Sequence, residues 1–95
     1  VYGSSATWKK TYVARNLNYF ARAGVAEFLC EADALQQGDK ILIIGPTTGV
    51  IEQTVQEMRV DLIVRRKVTA GDRFSMTVQR KVRRADKLYK LTLQE

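Results

Sequence analysis

The sequence predicts an all-β fold, a small β-barrel of six or seven strands. Short runs of β-branched and aromatic residues recur along the chain, separated by glycine, aspartate and proline turn signals. That arrangement is typical of β-sandwiches and barrels. No segment carries a convincing helical stripe of apolar side chains. The length of 95 residues allows one domain with one modest hydrophobic core.

The first two strands are predicted to form a hairpin. Residues 10–19 are rich in strand-forming side chains and indicate a strand that bends near Asn16. Gly24 supplies a turn, and residues 25–31 then alternate between an apolar face and a face with two charges. The apolar face contains Ala26, Phe28 and Cys30.

The middle of the chain contains its most apolar run. Residues 33–37 form a polar connector, for which one short helical turn is one interpretation. Residues 41–44 are all apolar, which indicates a strand covered on both faces, and a Gly-Pro pair ends it before an exposed loop at 47–49. Residues 50–58 fit either a helix or a strand. The β-rich surroundings and the lack of an N-cap favour a strand.

Three later runs are also predicted strands, at residues 60–64, 73–79 and 87–93, because apolar and polar side chains alternate along them. Aspartates stand just before predicted strands at three points, twice directly after a glycine. We interpret them as turn staples that accept backbone hydrogen bonds, rather than as ligands or acids. These aspartates are Asp39, Asp72 and Asp86.

Positive charge is concentrated in the C-terminal part of the chain. Residues 1–58 hold five basic and six acidic residues, a net charge of −1, whereas residues 59–95 hold eleven and four, a net charge of +7. Two clusters dominate, and they indicate a polyanionic neighbour such as RNA. A docking surface for an acidic partner domain and a plain solvated face are the alternatives. The candidate nucleic-acid-binding residues are Arg65, Arg66, Lys67, Arg80, Lys81, Arg83 and Arg84.

The sequence offers little for catalysis or metal binding. It contains no histidine, so Cys30 and the serines lack the usual base, and one cysteine cannot build a zinc site. We therefore expect no catalytic residue, no metal and no cofactor in this chain. Cys30 is expected to be a buried thiol, and the lone Trp8 a core or lid residue. No apolar run is long enough to span a membrane, and we expect a cytoplasmic protein.

Several motifs in order resemble one known family. They are the segments 38–46 (GDKILIIGP), 54–58 (TVQEM) and 86–91 (DKLYKL), with residues 24–28 (GVAEF) upstream. Together they resemble the C-terminal domain of the collagenase-like peptidases of family U32. The two Gly-Asp strand starts are also similar to those in the second domain of elongation factor Tu. The resemblance implies a translation-protein-like barrel, which is a fold-level analogy and does not establish function.

The family resemblance also implies a larger catalytic domain before this chain. Residues 1–7 are then a linker from that domain, and residues 8–95 are the β-barrel domain. Family members are peptidases, some of them collagenases, or act in tRNA or rRNA hydroxylation with iron–sulfur chemistry in the preceding domain. We therefore expect a non-catalytic accessory barrel that presents an anionic substrate such as tRNA or rRNA. The alternative is a structural domain that packs on the catalytic domain and stabilises it.

Overall fold

The computed structural model describes residues 7–94, which fold into ten β-strands and contain no helix. The strands are β1 Thr7–Phe20, β2 Val25–Cys30, β3 Leu35–Gln36, β4 Lys40–Gly45, β5 Gly49–Thr54, β6 Met58–Val60, β7 Ile63–Arg65, β8 Lys67–Val68, β9 Arg73–Thr77 and β10 Lys87–Gln94. The predicted all-β class is confirmed. Six or seven strands were too few because β3 and β8 have only two residues each, and because the run predicted as one strand at 60–64 is divided between β6 and β7. Within the described range, nothing resembles a membrane-crossing helix.

Eight strands form one antiparallel sheet in the order β5-β4-β10-β1-β2-β9-β6-β7. The first and last strands pair at the centre of this sheet, from Thr7 opposite Gln94 to Arg15 opposite Lys87. β3 and β8 form a separate two-stranded sheet. The ladder of main-chain hydrogen bonds does not close, because β5 and β7 remain at its edges. The structure is therefore an open barrel.

Strand β1 pairs with β10 on one side and β2 on the other, and its two ladders each contain one irregularity. The register shifts between Tyr12 and Ala14 and again between Asn16 and Asn18, which confirms the predicted bend near Asn16. The buried Asn16 side chain fixes the second bulge, since its Nδ2 donates to the carbonyls of Asn18 and Glu27 at 2.9 and 3.0 Å. Such a bulge increases the local twist that a curled sheet requires.

The core consists of the alternate side chains that the strands turn inward. On β2 these are the predicted Ala26, Phe28 and Cys30, and Cys30 is a buried free thiol as expected. The rings of Phe28 and Phe74 stack with their centroids 5.6 Å apart and link β2 to β9. Residues 50–54 belong to strand β5 and Met58 begins β6, with residues 55–57 connecting them, so the choice of strand over helix is confirmed.

Five local expectations are wrong. Residues 60–64 do not form one strand, because Asp61 and Leu62, with φ of 53° and 67°, form the turn between β6 and β7. Residues 33–37 contain the short strand β3, paired with β8, instead of a helical turn. Only Ile41 and Ile43 of the apolar run are fully buried, because the other face of β4 is half-covered. Thr48 is buried within its loop, since its hydroxyl binds Asp86. Trp8 is neither core nor lid: it is 53% exposed on the outer face of β1.

Three turns repeat one hydrogen-bonding pattern, which confirms the interpretation of the aspartates as staples. In each turn the aspartate Oδ2 accepts from the backbone N–H three residues earlier, at 2.9 Å, and the aspartate N–H donates back to that residue's carbonyl. The pairs are Gln36–Asp39, Thr69–Asp72 and Arg83–Asp86. The residue before the aspartate has a positive φ: 96° at Gly38, 98° at Gly71 and 73° at Ala85. The first two are glycines because that backbone conformation disfavours a Cβ.

Two long side chains span the gap between β5 and the segment after β9. Gln53 Nε2 donates to the Thr77 carbonyl and Gln53 Oε1 accepts from the Gln79 N–H, both at 3.0 Å. The Arg80 guanidinium donates to the carbonyls of Thr48 and Val50 at 2.6 and 2.8 Å. We call this contact between β5 and the segment after β9, which the Gln53 and Arg80 side chains form, the side-chain seam.

Candidate functional site

The first basic cluster lies at the sheet edge. Arg65 ends β7, Arg66 follows it, and Lys67 is the first residue of the short strand β8. All three residues are exposed. They follow the β6–β7 hairpin, so this charge stands beside a row of exposed apolar side chains.

The second cluster divides into one structural residue and three free ones. Arg80 belongs to the side-chain seam, where both of its terminal nitrogens are bonded to carbonyls of the β5 region. Lys81, Arg83 and Arg84 are exposed, and within residues 7–94 none of their side chains forms an ion pair. We call these three residues the loop cations.

The loop cations line one groove together with the end of β1. Its other wall is formed by residues from Asn16 to Tyr19 and by Ala21. Val82, between Lys81 and Arg83, is buried and anchors the loop in the core. The alternation of buried and exposed side chains thus directs the cations outward from a fixed backbone.

Asp86 holds this loop in place from below. Its buried carboxylate accepts hydrogen bonds from the Thr48 hydroxyl and, at 2.9 Å, from the Arg83 N–H. The Asp86 carbonyl accepts from the Asn16 N–H at 2.7 Å, which ties the loop to β1. The carboxylate lies against Gly45, where an added Cβ would come 1.9 Å from Oδ1. The loop is therefore pre-ordered by a buried, hydrogen-bonded anion.

A third group of cations occurs on the outer face of β1, β10 and β4. Here lysines alternate with aromatic rings, at positions far apart in sequence. We call this surface the aromatic face. Its members are Trp8, Lys10, Tyr12, Lys40, Lys87 and Tyr89.

Contacts within the aromatic face are direct. The Lys40 ammonium lies 4.9 Å from the Trp8 ring centroid, and the Lys10 ammonium 4.6 Å from that of Tyr89. The rings of Tyr12 and Tyr89 meet edge to face at 5.8 Å. The sequence analysis missed this surface because its lysines and rings come from three strands that are distant in sequence. The strand alternation of Trp8, Lys10 and Tyr12 was a signal available in the sequence.

Tyr12 and Glu31 define the acidic border of this face. The Tyr12 hydroxyl donates to Glu31 Oε1 at 2.5 Å, and Arg15 Nε donates to Glu31 Oε2 at 2.8 Å. Burial, and then the bond to Glu31, raise the pKa of Tyr12 to about 12. The bonds from Tyr12 and Arg15 lower the pKa of Glu31. Both oxygens of the Glu31 carboxylate therefore already accept hydrogen bonds from this chain.

Comparison with known proteins gives relatives in sequence and in structure. No protein-family model matches the chain. A collagenase of Porphyromonas gingivalis is 51% identical over 99% of the chain, and an uncharacterized protease of Methanocaldococcus jannaschii is 34% identical over 94%. The chain spans about a quarter of the length of these relatives, 26% and 22% respectively.

The structural match decides the fold. The crystal structure of the C-terminal domain of a Geobacillus thermoleovorans protein assigned to the U32 peptidases superimposes with a TM-score of 0.79. The match covers 84% of this chain and 91% of that domain, at 15% identity. This chain has the fold of a U32 peptidase C-terminal domain. The resemblance stated from the sequence motifs is thereby confirmed.

The U32-type motif residues have structural roles in this chain. Asp39 and Asp86 are turn staples, and Gly45 provides the space that the Asp86 carboxylate occupies. Gln53, Arg80 and the loop cations lie outside the quoted motifs. The motifs therefore identify the fold without locating a chemical site.

Proposed function

We propose that the chain is the non-catalytic accessory domain of a cytoplasmic U32-family enzyme, and that it presents an anionic substrate such as tRNA or rRNA to a preceding catalytic domain. Homology to a U32 C-terminal domain and to proteins named collagenase and protease supports the accessory assignment. The activity of the whole protein, proteolysis or RNA modification, is part of the proposal.

One observation carries the substrate-binding part: the loop cations share a groove on a pre-ordered loop. Exposed arginines and lysines position a nucleic acid by contacting its phosphates. Because Asp86 and Val82 fix the backbone of this loop, binding does not have to order it first. The bonds of Arg80 to two carbonyls assign it to the structure of the loop, so we do not propose it as a phosphate contact.

The test compares two triple variants that remove equal charge. Lys81→Ala/Arg83→Ala/Arg84→Ala should weaken binding of tRNA or rRNA fragments and lower the slope of log K against log salt by about 2, as expected for three lost phosphate contacts. Arg65→Ala/Arg66→Ala/Lys67→Ala should have a smaller effect. Equal losses would show that total charge rather than the groove determines binding, and no loss in either variant would contradict the RNA role.

A second candidate function is docking on the catalytic domain through the β6–β7 hairpin. Leu62 at its tip is 89% exposed, and Ile63 and Val64 beside it are also exposed. Contiguous exposed apolar side chains are typical of protein contact sites. The triple variant Leu62→Asn/Ile63→Thr/Val64→Thr should reduce self-association of the chain, measured by light scattering. If the unmodified chain is already monomeric and does not aggregate, this candidate function is contradicted.

A further inference from the structure

We propose that the aromatic face is a second binding site, which stacks the unpaired bases of single-stranded RNA. The proposal rests on the proposed function for the anionic nature of the ligand, and it adds a separate location and a different recognition chemistry. In this proposal the loop cations would contact phosphates only, whereas the aromatic face would contact bases.

Strand pairing places all members of this face on one side of the sheet. Trp8, Lys10 and Tyr12 alternate along β1, and Tyr12 stands directly opposite Tyr89 on β10. Lys10 and Lys40 both stand opposite Leu91, from the two sides of β10. Directly opposed side chains share a face of the sheet. Cations and rings therefore alternate along β1, and across the strands Tyr12 meets Tyr89 while Leu91 lies between Lys10 and Lys40.

The dimensions suit a short run of nucleotides. From Trp8 to Tyr12 the strand advances by roughly 13 Å, four residues at the usual rise. Sheet surfaces of this kind stack two or three bases on their aromatic side chains. A lysine ammonium lies over each ring. A base can replace this ammonium on the ring while the lysine turns to the adjacent phosphate. Base stacking on such rings is worth about 1–3 kcal/mol each.

Charge favours RNA over a protein partner at this face. Glu31 and Glu52, the neighbouring carboxylates, are already paired with Arg15 and Lys40. Within the described residues, Lys10 and Lys87 form no ion pair. Lysine is depleted in protein–protein interfaces, whereas sites for single strands combine stacking rings with cations along the backbone.

Trp8 provides a local readout, because it is the only tryptophan of the chain. The chain is titrated with a single-stranded RNA of about ten nucleotides, within the range of such sites, and with the same sequence as a duplex. The single strand should quench Trp8 fluorescence and the duplex should not. Tyr89→Leu, which keeps an apolar side chain but removes a ring, should weaken single-strand binding at least fivefold.

Controls separate this site from the loop cations. Phe20→Leu removes an exposed aromatic outside the face and should leave the affinity unchanged. Lys81→Ala/Arg83→Ala/Arg84→Ala should lower the affinity but preserve the quenching at saturation. If Tyr89→Leu does not fold, Trp8→Leu at the exposed position, followed by anisotropy of labelled RNA, replaces it.

Three results would overturn the aromatic face as a base-stacking site. They are RNA binding without any change in Trp8 fluorescence, equal effects of Tyr89→Leu and Phe20→Leu, and equal quenching by inorganic polyphosphate. If the loop variant binds normally while Tyr89→Leu does not, the proposed function of the loop cations fails and the aromatic face stands. A chain that binds no RNA at low salt contradicts both.

Discussion

The contact between Gly45 and Asp86 predicts strong coupling between two substitutions. In Gly45→Ala the new Cβ would lie 1.9 Å from Asp86 Oδ1 and 2.4 Å from its Cγ, so the carboxylate must move. Moving it breaks the hydrogen bonds from the Thr48 hydroxyl and the Arg83 N–H. Hydrogen bonds to a charged group contribute about 1.5–3 kcal/mol each, so we expect a loss of about 3–6 kcal/mol in the free energy of unfolding.

The double variant distinguishes this contact from a general defect. Asp86→Ala loses the same two bonds and should cost about as much, but it also leaves room for a Cβ at position 45. Gly45→Ala/Asp86→Ala should therefore be about as stable as Asp86→Ala alone, so the coupling energy equals the cost of Gly45→Ala, about 3–6 kcal/mol. Urea unfolding followed by circular dichroism measures all four proteins. Additive losses within about 0.5 kcal/mol would refute the steric argument.

Gly49→Ala is the matched control in the same turn. A Cβ at Gly49 meets nothing within 4 Å, but the positive φ of 79° makes it costly by about 1–2 kcal/mol. This cost should add to that of Asp86→Ala, because a Cβ at position 49 would not touch the Asp86 side chain. Coupling as large as that of Gly45 would point to a rearranged loop instead.

Three further predictions concern the turns, the seam and the pH dependence. Gly38→Ala should lower the free energy of unfolding by about 1–2 kcal/mol, whereas Ala85→Gly should raise it by up to about 1 kcal/mol, both measured by urea unfolding. A less stable Ala85→Gly variant would contradict the strain at Ala85. Gln53→Ala should cost about 1–3 kcal/mol, since two main-chain groups lose their partners; an unchanged urea midpoint would mean that the seam contributes nothing. The Tyr12 phenol should ionise near pH 12 by ultraviolet absorbance, so its contribution to stability is present below pH 10 and lost as pH rises through 12. The lowered pKa of Glu31 acts in the opposite direction. The ionised Glu31 contributes to stability above pH 4.5, and this contribution is lost on acidification below that, a loss that a Glu31→Gln variant should not show.

The sequence was sufficient for the features that depend on local alternation and turn chemistry. The buried face of Ala26, Phe28 and Cys30 and the aspartate staples follow from such patterns. Trp8 was placed wrongly because a lone tryptophan was expected to be buried, although its alternation with Lys10 along β1 places it on the exposed face.

The candidate sites show the same limit. The loop cations were found because they are adjacent in sequence, but their neighbour Arg80 could not be separated from them. The Arg80 guanidinium bonds to the carbonyls of Thr48 and Val50, which are 32 and 30 residues earlier in the sequence. The aromatic face was missed because its members come from three strands that only the sheet brings together.

The central position of β10 affects when the domain can fold. Strand β10 lies between β4 and β1, so the middle of the sheet is absent until residues 87–94 are available. During synthesis, β1 and β4 therefore stay unpaired on the sides that face β10 until that strand has been made. Pairing of the first and last strands closes a loop of nearly the whole chain, which slows folding. We expect the nascent chain to need protection from aggregation until translation of β10 is complete.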